Sequence, residues 1–94
     1  MHNTVHLIYG TDNKEGVVGF EILDHVIWVT FLWSDKSFTT NKQLMELMGD
    51  VYEIYTIGKN MPILYTGEKN MYPNASKEIA IDMWQYIPKK YLNV

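Results

Sequence analysis

The chain contains no cysteine and no arginine. Without cysteine there is no disulfide, no thiol nucleophile and no cysteine-ligated zinc, and the composition fits a reducing compartment. Without arginine it lacks the planar fork that grips phosphate or guanine through two hydrogen bonds. Its eight basic residues are lysines scattered along the sequence, against eleven Asp and Glu, for a formal charge of −3. That balance argues against sequence-specific nucleic-acid binding. The carboxylates never form the run that a DNA mimic would need. Long apolar runs are missing too: no window approaches the roughly 18 consecutive apolar residues of a membrane helix. The opening MHNTVHLIYG lacks the basic start and apolar stretch of a signal peptide, so a cytoplasmic protein is expected. Asn74-Ala75-Ser76 matches the glycosylation pattern, which carries no meaning without a secretory signal. Lysine in place of arginine, with abundant Asn, Ile and Tyr, is the mark of AT-rich coding, as in low-GC bacteria and their phages.

What is present is enough to fold. The hydrophobic fraction is 47% in 94 residues, which implies a single domain, although a chain this short buries only about 60–65% of the surface its unfolded form exposes. Val5 to Tyr9 alternates, with Val5, Leu7 and Tyr9 on one face of a strand and Thr4, His6 and Ile8 on the other. Gly10 to Gly16 is turn chemistry. Val17 to Leu23 and Val26 to Trp33 read as a hairpin closed at Asp24-His25. A regular ladder from that turn collects Val18, Phe20, Ile22, Ile27, Val29, Phe31 and Trp33 on a core face. The other face receives Gly19, Glu21, Trp28 and Thr30, with Val26 and Leu32 near the ends. The run DHVIWVTFLWSD, residues 24 to 35, is thus apolar on both faces, and something must cover each.

Beyond it, Ser34 to Ser37 reads as a turn and Phe38-Thr39-Thr40 as a short returning strand. Thr40 and Gln43 have capping-box spacing, Leu44, Leu47 and Met48 form an apolar stripe, and Gly49 reads as a terminator. These features predict a helix over about residues 41 to 48. Val51 to Ile57 and Met61 to Thr66 read as strands joined by Gly58-Lys59-Asn60, the second at a sheet edge because of Pro62. Gly67 to Pro73 is loop. Asn74 would cap a helix over about residues 75 to 87, in which Ile79, Ala80, Met83, Trp84 and Ile87 keep a 3.6-residue period, ended by Pro88. The expected fold class is α+β: a single small domain over residues 1–94, with a mostly antiparallel five-stranded sheet in the order β-β-β-α-β-β-α and two helices.

No catalytic set emerges from the sequence. His2 and His6 are four apart, which on a strand separates them by roughly 13 Å, too far for one ion. Ser34, Ser37 and Ser76 sit in turns or caps and none lies in a nucleophile elbow. There is no phosphate loop, and Asp12 to Gly16 lacks the ligand spacing of a calcium site. No metal and no cofactor are expected. If the first strand pairs with the second, His6 and Thr4 approach Glu21, Trp28 and Thr30. A His–Glu pair beside an indole can hold a small polar ligand or nucleotide, or do acid–base work in a minimal enzyme, but is more often a solvent-facing pair on a half-covered sheet. Aromatics with polar tips are enriched at interfaces and are also ordinary in a small β-rich core, which adds Tyr52 and Tyr72 to the candidates His6, Glu21, Trp28 and Thr30. Two short helices can cover one face of a five-stranded sheet and hardly both. The Trp28 face would then be an exposed apolar patch, the mark of a binding surface, with a second copy of the chain in a homodimer or another protein as its cover; helices on opposite faces would instead bury both sides within a monomer. The sequence therefore points to a non-enzymatic protein-binding or inhibitor protein, with phage or mobile-element inhibition of a host defence system (an anti-CRISPR-like role) as one form of it.

Overall fold

The computed structural model describes residues 3–11, 14–67 and 76–92. Six strands form one sheet: β1 (Asn3–Thr11), β2 (Lys14–Ile22), β3 (Ile27–Ser34), β4 (Ile63–Thr66), β5 (Ser76–Ala80) and β6 (Met83–Tyr86). Their spatial order is β1-β2-β3-β4-β6-β5. Every neighbouring pair is antiparallel except β3 and β4, which run parallel and are matched only at Ile27 with Ile63 and Trp28 with Leu64. Helix α1 (Phe38–Val51), a π-helical continuation (Tyr52–Ile57) and the single turn α2 (Lys89–Leu92) are the helical elements among the described residues. The α+β class holds, with six strands where five were expected.

The β2–β3 hairpin follows the predicted register only near its turn. Leu23 N–H donates to the Val26 carbonyl at 2.9 Å, and Ile22 faces Ile27, Glu21 faces Trp28 and Phe20 faces Val29. One residue further the ladder slips, because Gly19 faces Phe31 and Thr30 is left as the extra residue of a β-bulge. A one-residue slip exchanges the faces of everything beyond it. Phe31 and Trp33, expected in the core, therefore leave it, and Leu32 takes their place against the core.

The core lies on the face of Tyr9, Val18, Phe20, Ile27, Ile63, Tyr65 and Tyr86, under Leu44, Met48 and Val51 of α1 and Tyr52 just beyond it. Each such side chain is worth about 1.5–3 kcal/mol when taken out of water. Helix α1 starts earlier than expected. Ser37 is its N-cap, its hydroxyl accepting from Thr40 N–H at 3.2 Å, so residues 38 to 40 are the first helical turn and not a strand.

The helix also runs through Gly49, and residues 51 to 57 are helical where a strand was expected. Val51 to Ile57 is rich in β-branched and aromatic residues, but propensity yields to burial here. Tyr52 and Tyr55 would fall on opposite faces of a strand, whereas the helical path lets both pack against the core. Tyr52 is buried, edge-on to Tyr86 at 6.4 Å between ring centres and 5.0 Å from Tyr91. The segment closes at Asn60, in the left-handed region at φ 56°, with Asn60 N–H donating to Thr56 and Met61 N–H to Tyr55.

The predicted helix over 75 to 87 is instead the β5–β6 hairpin, turning at Asp82 with φ 57°. Its apolar spacing also satisfies a pair of strands once Ile81 and Asp82 are given to a turn. Trp84 stacks on Tyr65 across the ladder at 6.5 Å and donates its indole N–H to the Gly67 carbonyl. Strand β4 is interior, not an edge. Pro62 lies just before it, and its carbonyl accepts the Ile27 N–H at 2.9 Å, so the missing proline donor costs the sheet nothing.

Candidate binding surface

The sheet has two unlike faces. The described helical elements pack on the core face. The other face carries three rows of side chains set by the pairing. The first runs through Thr4, Glu21, Trp28, Leu64, Gln85 and Lys77, one residue from each of the six strands. The second is His6, Gly19 and Phe31, and the third Ile8, Val17 and Trp33. Ile8 is 75% exposed, and Phe31 and Trp33 are each 49% exposed. An open depression of about 410 Å³ lies among His6, Ile8, Val17 and Phe31.

Gly19 and the bulge shape this face. A methyl group on Gly19 would come within 2.6 Å of His6 Cδ2 and 3.1 Å of Thr30 Oγ1. The imidazole and the hydroxyl thus close over the bare backbone of Gly19 from either side. His6, Thr30, Glu21 and Trp28 are brought onto one face of three adjacent strands, in neighbouring rows. Trp28 is half-buried at the centre of its row, while His6 and Thr30 are exposed.

Two other candidates are placed differently. Tyr52 is buried in the core on the far side of the sheet, where burial raises its hydroxyl pKa above the ordinary tyrosine value. Its ring fills the space between α1 and α2 and takes no part in the surface. Tyr72 lies outside the described residues. Sequence reasoning missed Ile8, Val17, Phe31 and Trp33 as members of the surface. Ile8 shares the parity of His6 and follows from strand alternation. Phe31 and Trp33 were lost to the assumed regular ladder. The available signal was Thr30, the single polar residue inside an apolar run, where a bulge leaves the core face apolar on both sides of it.

Among the described residues no three His, Asp or Glu side chains gather as a metal-ligand group. No helix among them is long and apolar enough to cross a membrane. The face carries aromatic and aliphatic groups, with the His6 imidazole on the outer strand and the Glu21 carboxylate on the next. Comparison with protein-family models, with curated proteins and with solved structures finds no match.

Proposed function

We propose that this chain is a non-enzymatic protein-binding module that works through the open face of its sheet. The observation that supports this most is the gathering of Ile8, Phe31 and Trp33, all substantially exposed, on a face that no described helix covers. Half-exposed aromatic rings beside a shallow depression are the material of interface hot spots, where a few large side chains supply most of the binding energy. Strand alternation places Ile8 there, and the bulge delivers Phe31 and Trp33. Small size, net acidity and the lack of a recognisable catalytic set favour an inhibitor as the form this binding takes, and a phage or mobile-element protein directed at a host defence enzyme in the bacterial cytoplasm is the form favoured by the coding bias.

The test is a pair of lysine substitutions, Phe31→Lys with Trp33→Lys. Both positions are half-exposed, so the fold is expected to survive while capture of the partner, by a second copy in light scattering or by a different protein in cross-linking, falls by about tenfold or more. A folded double variant that retains full association sinks the reading. A second reading is carried by His6, which stands at the lip of the depression: a small polar ligand or nucleotide held by His6, Glu21 and Trp28. It predicts the reverse sensitivity, with His6→Ala and Glu21→Ala damaging and the lysine pair mild.

A further inference from the structure

The opposite side of the sheet offers a second feature at strand β1. Among the described residues this nine-residue strand is the edge of the sheet and is paired on one side only, with β2. Which of its main-chain groups face outward follows from the ladder. A residue in an antiparallel ladder turns its N–H and C=O to the same side, and successive residues turn opposite ways. Ile27 donates to Pro62 on the β4 side, so Ile22 opposite it turns toward β1, and Phe20 does the same. Val5, paired with Phe20, turns back toward β2. Thr4, His6 and Ile8 then present their N–H and C=O groups to the outer edge, which no other described strand occupies, a template for another strand.

Beside that edge, on the helix side, lies a cavity of about 260 Å³. Val5 and Leu7 of β1 form one wall, Phe20 and Ile27 the back, and Leu47 and Ile54 the helical wall. Cavities of about 150 Å³ lined by such residues hold a benzene ring, so this one has room for a larger aromatic or branched side chain. Asp50 is the one charged residue in the lining and is exposed, while Ile54 is 56% exposed at the helical wall. Ile54 belongs to the π-helical segment, a geometry that recurs at functional sites.

We propose that β1 and this cavity form a strand-addition site for an extended peptide segment of another protein, which seats one large apolar side chain in the cavity and a lysine or arginine beside Asp50. The occupant follows from three complementarities. The edge groups of Thr4, His6 and Ile8 require an extended main chain, the strand's period of two places alternate side chains over Val5 and Leu7, and the Asp50 carboxylate favours a cation. Backbone pairing with pockets for alternate side chains is an established mode of peptide capture. The cavity lies across the sheet from Phe31 and Trp33, while the edge beside it is shared with the open face through His6 and Ile8.

The experiment titrates the isotope-labelled full chain with capped peptides matched to the nine residues of β1. The peptides alternate threonine with apolar residues, carry lysine near the ends and have Phe, Trp, Leu or Ala at the centre. Amide shifts are expected along Thr4–Ile8 and Leu47–Tyr55, with Phe or Trp binding about tenfold tighter than Ala. N-methylation of the peptide at the positions that face β1 is expected to weaken binding about tenfold, a change that leaves the protein untouched. Asp50→Lys, at an exposed position, is expected to weaken the lysine-bearing peptides. The proposal is overturned if no peptide moves these amides at millimolar concentration, if N-methylation is harmless, or if the shifts fall on Phe31 and Trp33 alone. It is also overturned if free indole reproduces the whole pattern, which would make the cavity a small-molecule site, or if β1 is consumed by pairing with a second copy.

Discussion

Substituting Gly49 by alanine asks whether α1 truly passes through the position at which the sequence suggests a stop. In the structure Gly49 is helical, lies within Phe38–Val51, and a methyl group there would meet nothing within 4 Å. Its φ is not among the positive values, so alanine fits without backbone strain. Glycine in a helix interior is less favourable than alanine by about 0.8–1 kcal/mol, partly because it leaves the unfolded chain more freedom to lose. Gly49→Ala is therefore expected to stabilise the fold by roughly 1 kcal/mol, which for a domain of this size raises Tm by about 4–8 °C. Urea unfolding should show a higher midpoint with an unchanged slope, because the surface exposed on unfolding is the same. Had the helix ended at Gly49 in a left-handed cap, alanine there would be strained and the sign would reverse, with a loss of about 1 kcal/mol. A lower midpoint for Gly49→Ala would refute both the continuous helix and the reassignment of residues 51 to 57. Gly58 serves as a control: it closes the π-helical segment at φ −75°, and its methyl would only touch the Glu53 carbonyl at 3.4 Å, so a change well under that of Gly49 is expected.

Two further perturbations read the sheet. Gly16→Ala would bring its methyl within 2.5 Å of the Tyr9 ring, which is buried and donates its hydroxyl to the Trp33 carbonyl at 3.2 Å, so overpacking should cost about 1–3 kcal/mol in urea unfolding. Gly19→Ala meets the exposed His6 imidazole, which can swing away, and a cost equal to that of Gly16→Ala would contradict this distinction. Burial, and secondarily the charge of Tyr65, pushes the Tyr86 hydroxyl up to about 12 from 10.0. The folded state then holds a proton that the unfolded state has released, so stability is complete below about pH 10 and falls as pH rises toward 12. Tyr86→Phe should flatten that alkaline decline in thermal melts from pH 9 to 12, and an unchanged slope would show that another group causes it.

The three N-terminal strands were legible because alternation marks each of them, and the Asp24-His25 turn fixes the hairpin register as far as Phe20 and Val29. The bulge was not legible as an insertion, since Thr30 satisfies a regular ladder equally well until Phe31 and Trp33 are asked to fit beneath α1. Residues 51 to 57 misled because β-branched and aromatic residues favour strands only when a sheet position is free to receive them. Here Tyr52 is buried between Tyr86 and Tyr91, a contact that joins residues far apart in sequence. The hairpin over 76 to 86 failed for a related reason: Ile79, Ala80, Met83 and Trp84 suit either period, and only the left-handed Asp82 decides between them. Of the candidate surface, His6, Glu21, Trp28 and Thr30 followed from parity alone, while Tyr52 could be assigned to the core only through its helix.

The parallel join between β3 and β4 has a mechanical meaning. Two matched pairs, at Ile27 with Ile63 and Trp28 with Leu64, hold together a three-stranded N-terminal plate and a three-stranded C-terminal plate. The ladders inside the N-terminal plate are far longer, so the sheet resembles two boards on a short hinge, with α1 and its π-helical extension as the strap across the back. Trp28 sits on the hinge line. Whatever lands across that indole touches both boards at once, and so acts on their relative angle as a splint does, with a leverage that contact confined to either board would lack.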